Sequence, residues 1–269
     1  MNGRCAWIAL FGCCLPIAGL ATVDPGILPC PAENSVVIAH LDADVTGDGA
    51  LDRIMLMGKK FDQSSRYMVE LSIDATGLDG ENELCARLPQ DSDSGYDPQL
   101  KAMDFTGDGV PDIFVSLPTG GSGGIINYIV YSLKDRHPKM LLDTGKTVIP
   151  KFSGRLLPDY KAEVIVDGKS HTIDLKDHKD YYDQMGYYKN SKLLKPTDVW
   201  GDGYGLITPV DIDDDGIYEL RAVQRVRGIN NADHIADIIS ILKWKEDKWS
   251  VVDIEVKAAS DLGDNYNGA

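Results

Sequence analysis

The sequence predicts an all-β fold, a propeller-like array of about four small antiparallel sheets joined by hairpin loops. Two observations lead to this prediction. Short apolar segments rich in β-branched and aromatic residues alternate with clusters of Gly, Asp, Asn and Pro, as expected for many strands with tight turns. In addition, an acidic segment of nine residues occurs three times and is followed each time by an apolar run. Repeats of this kind, each a small sheet, are typical of propeller-like arrays.

The apolar segments are each long enough for one strand, and one dipeptide marks a turn. Asp167-Gly168 lies between two such segments, which predicts a two-residue hairpin. The stretch from Asp177 to Met185 is compatible with a short helix. The main predicted strands are Val36–Ile38, Ile54–Met57, Tyr67–Leu71, Ile113–Val115, Tyr128–Tyr131, Ala162–Val166 and Val251–Ile254.

The three acidic segments, residues 44–52, 104–112 and 211–219, are called loops 1, 2 and 3. They share the pattern D-x-[DT]-x-D-G-x-x-[DE]. Loops 1 and 2 begin 60 residues apart and loops 2 and 3 begin 107 residues apart. The larger gap is close to two units, so we expect an intervening unit without an acidic loop, and four units of roughly sixty residues in all.

Each loop has the donor pattern of a calcium site. Calcium prefers six to eight oxygen ligands, and a glycine at position 6 permits the sharp bend that turns them inward. An EF-hand is excluded because its twelfth position requires an acid, whereas Met55, Val115 and Ala222 stand there within predicted strands. We therefore expect about three Ca²⁺ ions. The predicted ligands are Asp44, Thr46, Asp48, the Ala50 carbonyl and Asp52; Asp104, Thr106, Asp108, the Val110 carbonyl and Asp112; and Asp211, Asp213, Asp215, the Ile217 carbonyl and Glu219.

These loops resemble the calcium-binding repeats of FG-GAP and VCBS-repeat proteins, including the β-propeller heads of integrin α chains and small secreted VCBS-repeat proteins. The resemblance implies a calcium-carrying hairpin loop, an extracellular setting and a role in adhesion or in binding carbohydrate or protein. The Phe-Gly and Gly-Ala-Pro hallmarks of complete FG-GAP units are missing from this sequence.

The N-terminus predicts export. Residues 1–21 combine Arg4, an apolar run and small residues before a cleavage point, which is the pattern of a signal peptide; an uncleaved membrane anchor and a lipid anchor are the alternatives. We expect one domain over residues 22–257 and a polar tail over 258–269. After the signal segment the chain has two cysteines, Cys30 and Cys85. In a secreted or extracytoplasmic (cell-surface or periplasmic) chain they predict one disulfide, with two buried thiols as the alternative.

Charge narrows the range of partners. The net charge of −15 argues against nucleic acid, because binding phosphate backbones requires a cationic surface. No later segment is apolar enough to span a membrane. The favoured function is non-catalytic binding or adhesion at the cell exterior, with an extracellular protein or carbohydrate as partner and no catalytic residues. A secreted hydrolase on the same scaffold and a structural envelope or coat component are the alternatives.

Three other features are interpreted as structural rather than catalytic or ligand-binding. Gly120–Gly124 satisfies G-x-S-x-G around Ser122, but the nucleophile elbow needs a following helix and a strand-like run comes next. The five histidines lack zinc-ligand spacing. Four tyrosines, Tyr181, Tyr182, Tyr187 and Tyr188, are interpreted as packing of the short helix rather than as a sugar platform.

Overall fold

The computed structural model describes residues 30–78, 80, 83–121, 124–144 and 150–261, which are mostly β-structure in antiparallel sheets. The first sheet contains β1 (Val36–Ala43), β2 (Asp52–Lys60), β3 (Tyr67–Gly77), β4 (Leu84–Arg87) and β5 (Gly95–Tyr96); the second contains β6 (Gln99–Met103), β7 (Asp112–Pro118), β8 (Ile126–Ser132) and β9 (Lys139–Asp143). The third contains β10 (Phe152–Leu157), β11 (Lys161–Val166) and β12 (Lys169–Asp174); β13 (Tyr188–Lys189) pairs with β14 (Lys192–Leu193); the fourth contains β15 (Leu206–Val210), β16 (Glu219–Arg227), β17 (His234–Lys245) and β18 (Lys248–Ala258). Helix α1 spans Lys179–Gln184, and 3-10 turns span Lys134–Arg136, Lys176–His178 and Ala259–Asp261.

In the second, third and fourth sheets, strands that follow one another in the chain are also hydrogen-bonded neighbours. The predicted hairpin is confirmed: Val166 pairs with Lys169, and Asp167 and Gly168 have φ of 49° and 71°, as a type I′ turn requires. The short helix over 177–185 is also confirmed in type, as a 3-10 turn followed by α1. The signal segment 1–21, Ser122 and residues 262–269 of the predicted tail lie outside the described residues.

The four larger sheets pack in an order that differs from their order along the chain. One apolar cluster joins the first and second sheets, with Ile54 and Ile113 at 0% exposure. A second cluster joins the second and fourth sheets through Phe114 and Leu220. A third joins the fourth and third sheets through residues such as Val164. A sheet without an acidic loop, β10–β12, does lie between loops 2 and 3 in the chain, as the repeat spacing suggested. Among the described residues it packs on the fourth sheet, however, and not between the second and fourth sheets.

The three loops lie against one another in series. A Cβ placed on Gly47 of loop 1 would lie 2.7 Å from Cγ2 of Val110 in loop 2. In the same way, a Cβ on Gly107 of loop 2 would lie 2.9 Å from Cδ1 of Ile217 in loop 3. Position 4 of loops 1 and 2 thus receives the position 7 side chain of the next loop. The Tyr218 amide also donates to the Asp104 carbonyl at 2.7 Å, which fixes loop 3 to loop 2.

A disulfide joins the segment before β1 to β4. The Sγ atoms of Cys30 and Cys85 are bonded, and their Cα atoms are 5.9 Å apart. Because 55 residues separate the two cysteines, the bond closes a long segment of the first sheet. In general such a bond stabilises a fold mainly by restricting the unfolded chain.

The contact between loops 1 and 2 predicts different costs for two glycine substitutions. Gly47 and Gly49 both have φ in the left-handed region, 77° and 87°, but a Cβ on Gly49 meets nothing within 4 Å. Gly49→Ala should cost about 1 kcal/mol of unfolding free energy from backbone strain. Gly47→Ala should cost about 1–3 kcal/mol more, because Val110 is stiff at χ1 and resists overpacking. Chemical denaturation measures both, and equal costs would contradict the loop contact.

Candidate metal centre

All three acidic loops have the same internal hydrogen bonds. The first aspartate accepts the amide of position 6 at 2.8 Å in loop 1, 2.8 Å in loop 2 and 3.0 Å in loop 3. The carboxylate at position 5 accepts the amide of position 7 at 2.9, 3.0 and 2.8 Å. These bonds satisfy the amides of a tight turn, which is what Asp provides at such positions. The carboxylates of each loop therefore hold its backbone in the bent shape.

The acid at position 9 closes each loop from the protein side. Asp52, Asp112 and Glu219 are buried, at 3%, 0% and 2% exposure, and each begins the strand that follows its loop. Each accepts the amide of position 2, at 3.1, 3.1 and 3.4 Å. This carboxylate holds the two ends of the loop together, as backbone groups shielded from water require partners.

The residues at position 3 differ among the loops. Thr46 is buried, and its hydroxyl donates to Asp52 at 3.1 Å. The Thr106 hydroxyl donates to Asp104 at 3.3 Å. Asp213 of loop 3 is exposed and places a carboxylate at position 3, where loops 1 and 2 have a hydroxyl. The two threonines thus serve hydrogen bonds inside their loops, whereas Asp213 adds charge.

Loop 3 gathers its carboxylates most closely. One carboxylate oxygen from each of Asp211, Asp213 and Asp215 lies within 4.8 Å of the other two. At about 4 Å, two like unit charges repel by about 1 kcal/mol in water and about 4 kcal/mol near a protein surface. Such a group fits a divalent cation, because Ca²⁺ takes carboxylate oxygens as its ligands.

Each loop also contacts one basic side chain. Arg136 Nη2 lies 2.7 Å from Asp48 Oδ2 in loop 1, and Lys134 Nζ lies 3.1 Å from Asp108 Oδ2 in loop 2. In loop 3 the base is placed differently, because Lys243 Nζ lies 2.6 Å from Glu219 Oε1 at position 9. The hydrogen bond from the Ala50 amide, followed by that from Arg136, lowers the pKa of Asp48. The hydrogen bond to Glu219 raises the pKa of Lys243.

Asp112 of loop 2 is the most perturbed loop acid. Burial raises its pKa to about 6, the Phe105 amide and the Ser132 hydroxyl offset this only in part, and the charges of Asp104 and Asp108 add to the rise. Among the described residues, its Oδ1 atom has no hydrogen-bond partner. Position 9 of loop 2 is therefore less well satisfied than its counterparts in loops 1 and 3.

A groove of about 270 Å³ adjoins loop 2, between β9 and the β17–β18 hairpin. Its lining includes Asp108, His137, Lys139 and Trp244. The Lys139 ammonium lies 5.9 Å from the Trp244 ring centroid and 3.0 Å from Asp247. An aromatic ring beside both acids and bases suits a polar ligand with an apolar face.

Sequence reasoning missed a buried network centred on Asp233, whose side chain is 0% exposed. Asp233 accepts hydrogen bonds from Tyr182 at 2.8 Å and from the Ile229 amide at 2.8 Å, and His178 Nδ1 lies at 3.0 Å. Burial alone would raise the pKa of Asp233, but these hydrogen bonds, led by that of His178, lower it overall. The partners lie 51 and 55 residues away in sequence, so local spacing carried no signal of the contact.

The tyrosines belong mainly to this packing, as the sequence interpretation favoured. Tyr182 and Tyr188 are buried at 0% and 2% exposure. Tyr160 stacks on Tyr188 with ring centroids 4.6 Å apart. Tyr181, at 37% exposure, lies on the surface. Tyr187 is half-buried against the same apolar cluster, so three of the four rings serve the core around α1.

The Gly120–Gly124 segment connects β7 to β8, which pair as antiparallel strands. The Thr119 amide donates to the Ile125 carbonyl at 3.0 Å across the base of this connection. A strand rather than a helix follows the segment, so the strand–turn–helix context of a nucleophile elbow is missing. Within the described ranges, no helix is long and apolar enough to cross a membrane.

Fold and loops together define a class: an antiparallel multi-sheet protein with three acidic loops packed in series. Comparison with known proteins places the chain in a family. It is 32% identical over 224 residues to the Bacillus subtilis (strain 168) protein described as "Uncharacterized protein YybI", which covers 82% of this chain and 84% of that protein. The family described as YybI C-terminal domain matches residues 150–257. The chain belongs to the YybI family. No solved structure matches it.

This result corrects the resemblance drawn from the loops. The expectation of an FG-GAP or VCBS-repeat protein, with its integrin-like and cell-adhesion associations, is wrong, because the comparisons show the YybI family and no such repeat family. The shared pattern has a physical origin. Asp at positions 1 and 5, Gly at position 6 and an acid at position 9 satisfy the amides of one tight turn, so the pattern reports a loop shape rather than a family.

The His178–Asp233 contact predicts a pH-dependent stability. The hydrogen bond to Asp233 raises the pKa of His178 above its usual 6.5. Its stabilisation is therefore complete below pH 6.5, is lost as the pH rises through the raised value, and is lost again in acid as Asp233 becomes protonated. His178→Gln should lower the unfolding free energy more at about pH 5.5 than at about pH 9.

Urea denaturation at the two pH values measures this effect. His171→Gln, a substitution of the half-buried histidine on β12, is the matched control and should show the smaller pH dependence. A cost for His178→Gln that is equal at both pH values would contradict the assignment of a charged pair.

Proposed function

We propose that this chain is a calcium-stabilised, non-catalytic binding protein that acts outside the cytoplasm. The observation that carries the proposal is the approach of the Asp211, Asp213 and Asp215 carboxylates to within 4.8 Å. The Cys30–Cys85 bond supports an oxidising compartment, because structural disulfides are rare in the reducing cytosol. The net charge of −15 is compatible with surroundings rich in divalent cations.

In this proposal, loop 3 is the principal calcium site. Asp211, Asp213 and Asp215 hold the ion, and the Ile217 carbonyl is the expected fourth protein ligand. Glu219 contributes less, since its two oxygens are occupied by Lys243 and by the Ile212 amide. The bound ion removes the repulsion among three carboxylates, and it stabilises the fold by an amount that rises with the logarithm of its free concentration once that exceeds the dissociation constant.

We also propose that the sheets carrying the loops are equivalent units of an open, propeller-like array. Three features support this. The first, second and fourth sheets each place an acidic loop between two antiparallel strands, β1–β2, β6–β7 and β15–β16. Their loops contact each other at matching positions. The third sheet, which begins within the region matching the YybI C-terminal domain, extends the array beyond the fourth.

The loop 3 proposal is tested by giving its third position the residue found in loops 1 and 2. Asp213→Thr should weaken calcium binding on the order of tenfold or more, because ligand charge sets the affinity of such sites. In chelator the variant should melt at the same or a higher temperature than the parent, since one repelling carboxylate is gone. In calcium it should melt at a lower temperature than the parent.

Asp214→Gly is the matched control. Asp214 stands at position 4 of loop 3, where loops 1 and 2 have glycine, and its φ of 56° is one that glycine adopts readily. The substitution therefore removes one negative charge from the same loop without changing its backbone. It should keep the melting shift that calcium produces. Titration calorimetry and thermal melts measure both variants. An equal loss in calcium and in chelator for Asp213→Thr would contradict metal binding at loop 3.

The groove beside loop 2 is the proposed binding surface for an extracellular carbohydrate or protein. Trp244 and its neighbouring charges supply the apolar and polar contacts that such ligands use. A glycan array and a cell-wall pull-down should give a ligand whose binding is lost in Trp244→Ala. Trp200→Ala, at an exposed tryptophan packed on Arg227, should retain binding. Equal binding by both variants would place the ligand elsewhere.

A further inference from the structure

The turn between β8 and β9 contacts two acidic loops at once. Arg136 pairs with Asp48 of loop 1 at 2.7 Å, and Lys134 pairs with Asp108 of loop 2 at 3.1 Å. The Asp135 amide also donates to the Thr46 carbonyl at 3.0 Å. Residues 134–136 are called the cationic turn. It delivers one base to each of two loops that lie against one another.

The backbone of the cationic turn sets the direction of its two bases. Asp135 and Arg136 both have left-handed φ, 53° and 60°, which is costly for residues other than glycine. The Arg136 amide donates to Leu133 at 2.9 Å and the His137 amide donates to Lys134 at 3.1 Å, which hold this conformation. The bases are therefore presented by a shaped turn rather than by an unrestrained loop.

In loops 1 and 2, each base occupies one carboxylate oxygen that a metal would need. At position 5 of loops 1 and 2, Oδ1 accepts the amide of position 7. The other oxygen, Oδ2, is the one paired with Arg136 or Lys134. In loop 3 the corresponding residue is Asp215, and no ion pair found within the described residues includes it. Its base, Lys243, pairs instead with Glu219 at the protein side of the loop and acts on Asp213 and Asp215 only through its charge, without an ion-pair contact.

The balance of acidic and basic side chains also separates loops 1 and 2 from loop 3. Loops 1 and 2 each contain three acids and contact one base, whereas loop 3 contains five acids and contacts one base. A calcium ion entering loop 1 or 2 would have to displace the base or lie beside it. Loop 3 offers the greater negative charge and open carboxylates.

We propose that the cationic turn is a built-in counter-ion for loops 1 and 2, so that the protein takes up one calcium ion, at loop 3. This inference rests on the proposed calcium binding by loop 3, and it replaces the sequence-based expectation of about three ions. Each pair is partly exposed, with Arg136 at 35% and Lys134 at 37% side-chain exposure. Removal of either base should therefore leave the fold intact.

The experiment counts bound ions by equilibrium dialysis of the purified protein against about 2 mM calcium, a concentration suited to weak extracellular sites. The parent should bind one ion per chain. Arg136→Gln and Lys134→Gln should each bind one more, and the double variant should bind three. Arg136→Lys, which keeps the charge, should stay at one. Asp48→Asn added to Arg136→Gln should remove the extra ion, and circular dichroism confirms folding.

The outcomes separate this inference from the proposed function. Three ions bound by the parent would overturn the counter-ion inference and leave calcium binding intact. One ion bound by the parent and by every folded variant would also overturn it. No ion in the parent, but ions in the Gln variants, would support the counter-ion role and refute the loop 3 proposal. No ion in any variant would refute both.

Discussion

The structure depends on the way each acidic loop satisfies its own backbone. A loop of nine residues with two sharp bends exposes amides that the sheet cannot pair, and these need acceptors. The first aspartate accepts the amide of position 6, and the buried acid at position 9 accepts that of position 2. Since the acid at position 9 is also the first residue of a strand, the shape of the loop is tied to the register of the sheet. The loop fixes where β2, β7 and β16 begin.

Packing of one loop on the next carries this constraint across the molecule. The side chain at position 7 fits where position 4 has no Cβ, as Val110 does against Gly47. Apolar residues inside the loops extend the contact into the core, where Val45 and Phe105 are fully buried. Phe105 also meets Tyr218 of loop 3, with ring centroids 6.4 Å apart. The same segments that face water with carboxylates therefore join the sheets with their other residues.

Much of the local structure could be predicted from the sequence, because it depends on neighbours in the chain. The loop bounds, the strands that follow them and the Asp167-Gly168 turn are of this kind. The arrangement of the sheets is not, since the third sheet packs on the fourth through residues far apart in the chain. The base on loop 1 comes from 88 residues away. Such contacts leave no spacing pattern, and the family that the acidic pattern suggested is wrong.

The three loops show why a short acidic pattern cannot decide by itself whether a metal binds. Its carboxylates have two roles. One oxygen accepts a hydrogen bond from a backbone amide, and the other carries negative charge that a metal ion or a basic side chain can balance. The chain itself can supply that cation, as it does at Asp48 and Asp108. Where the base pairs with the acid at position 9 and three carboxylates crowd together, as in loop 3, the charge of that base offsets only part of the repulsion. If the proposed calcium binding holds, metal affinity is set more by the bases that the rest of the fold brings to each loop than by the pattern that the loops share.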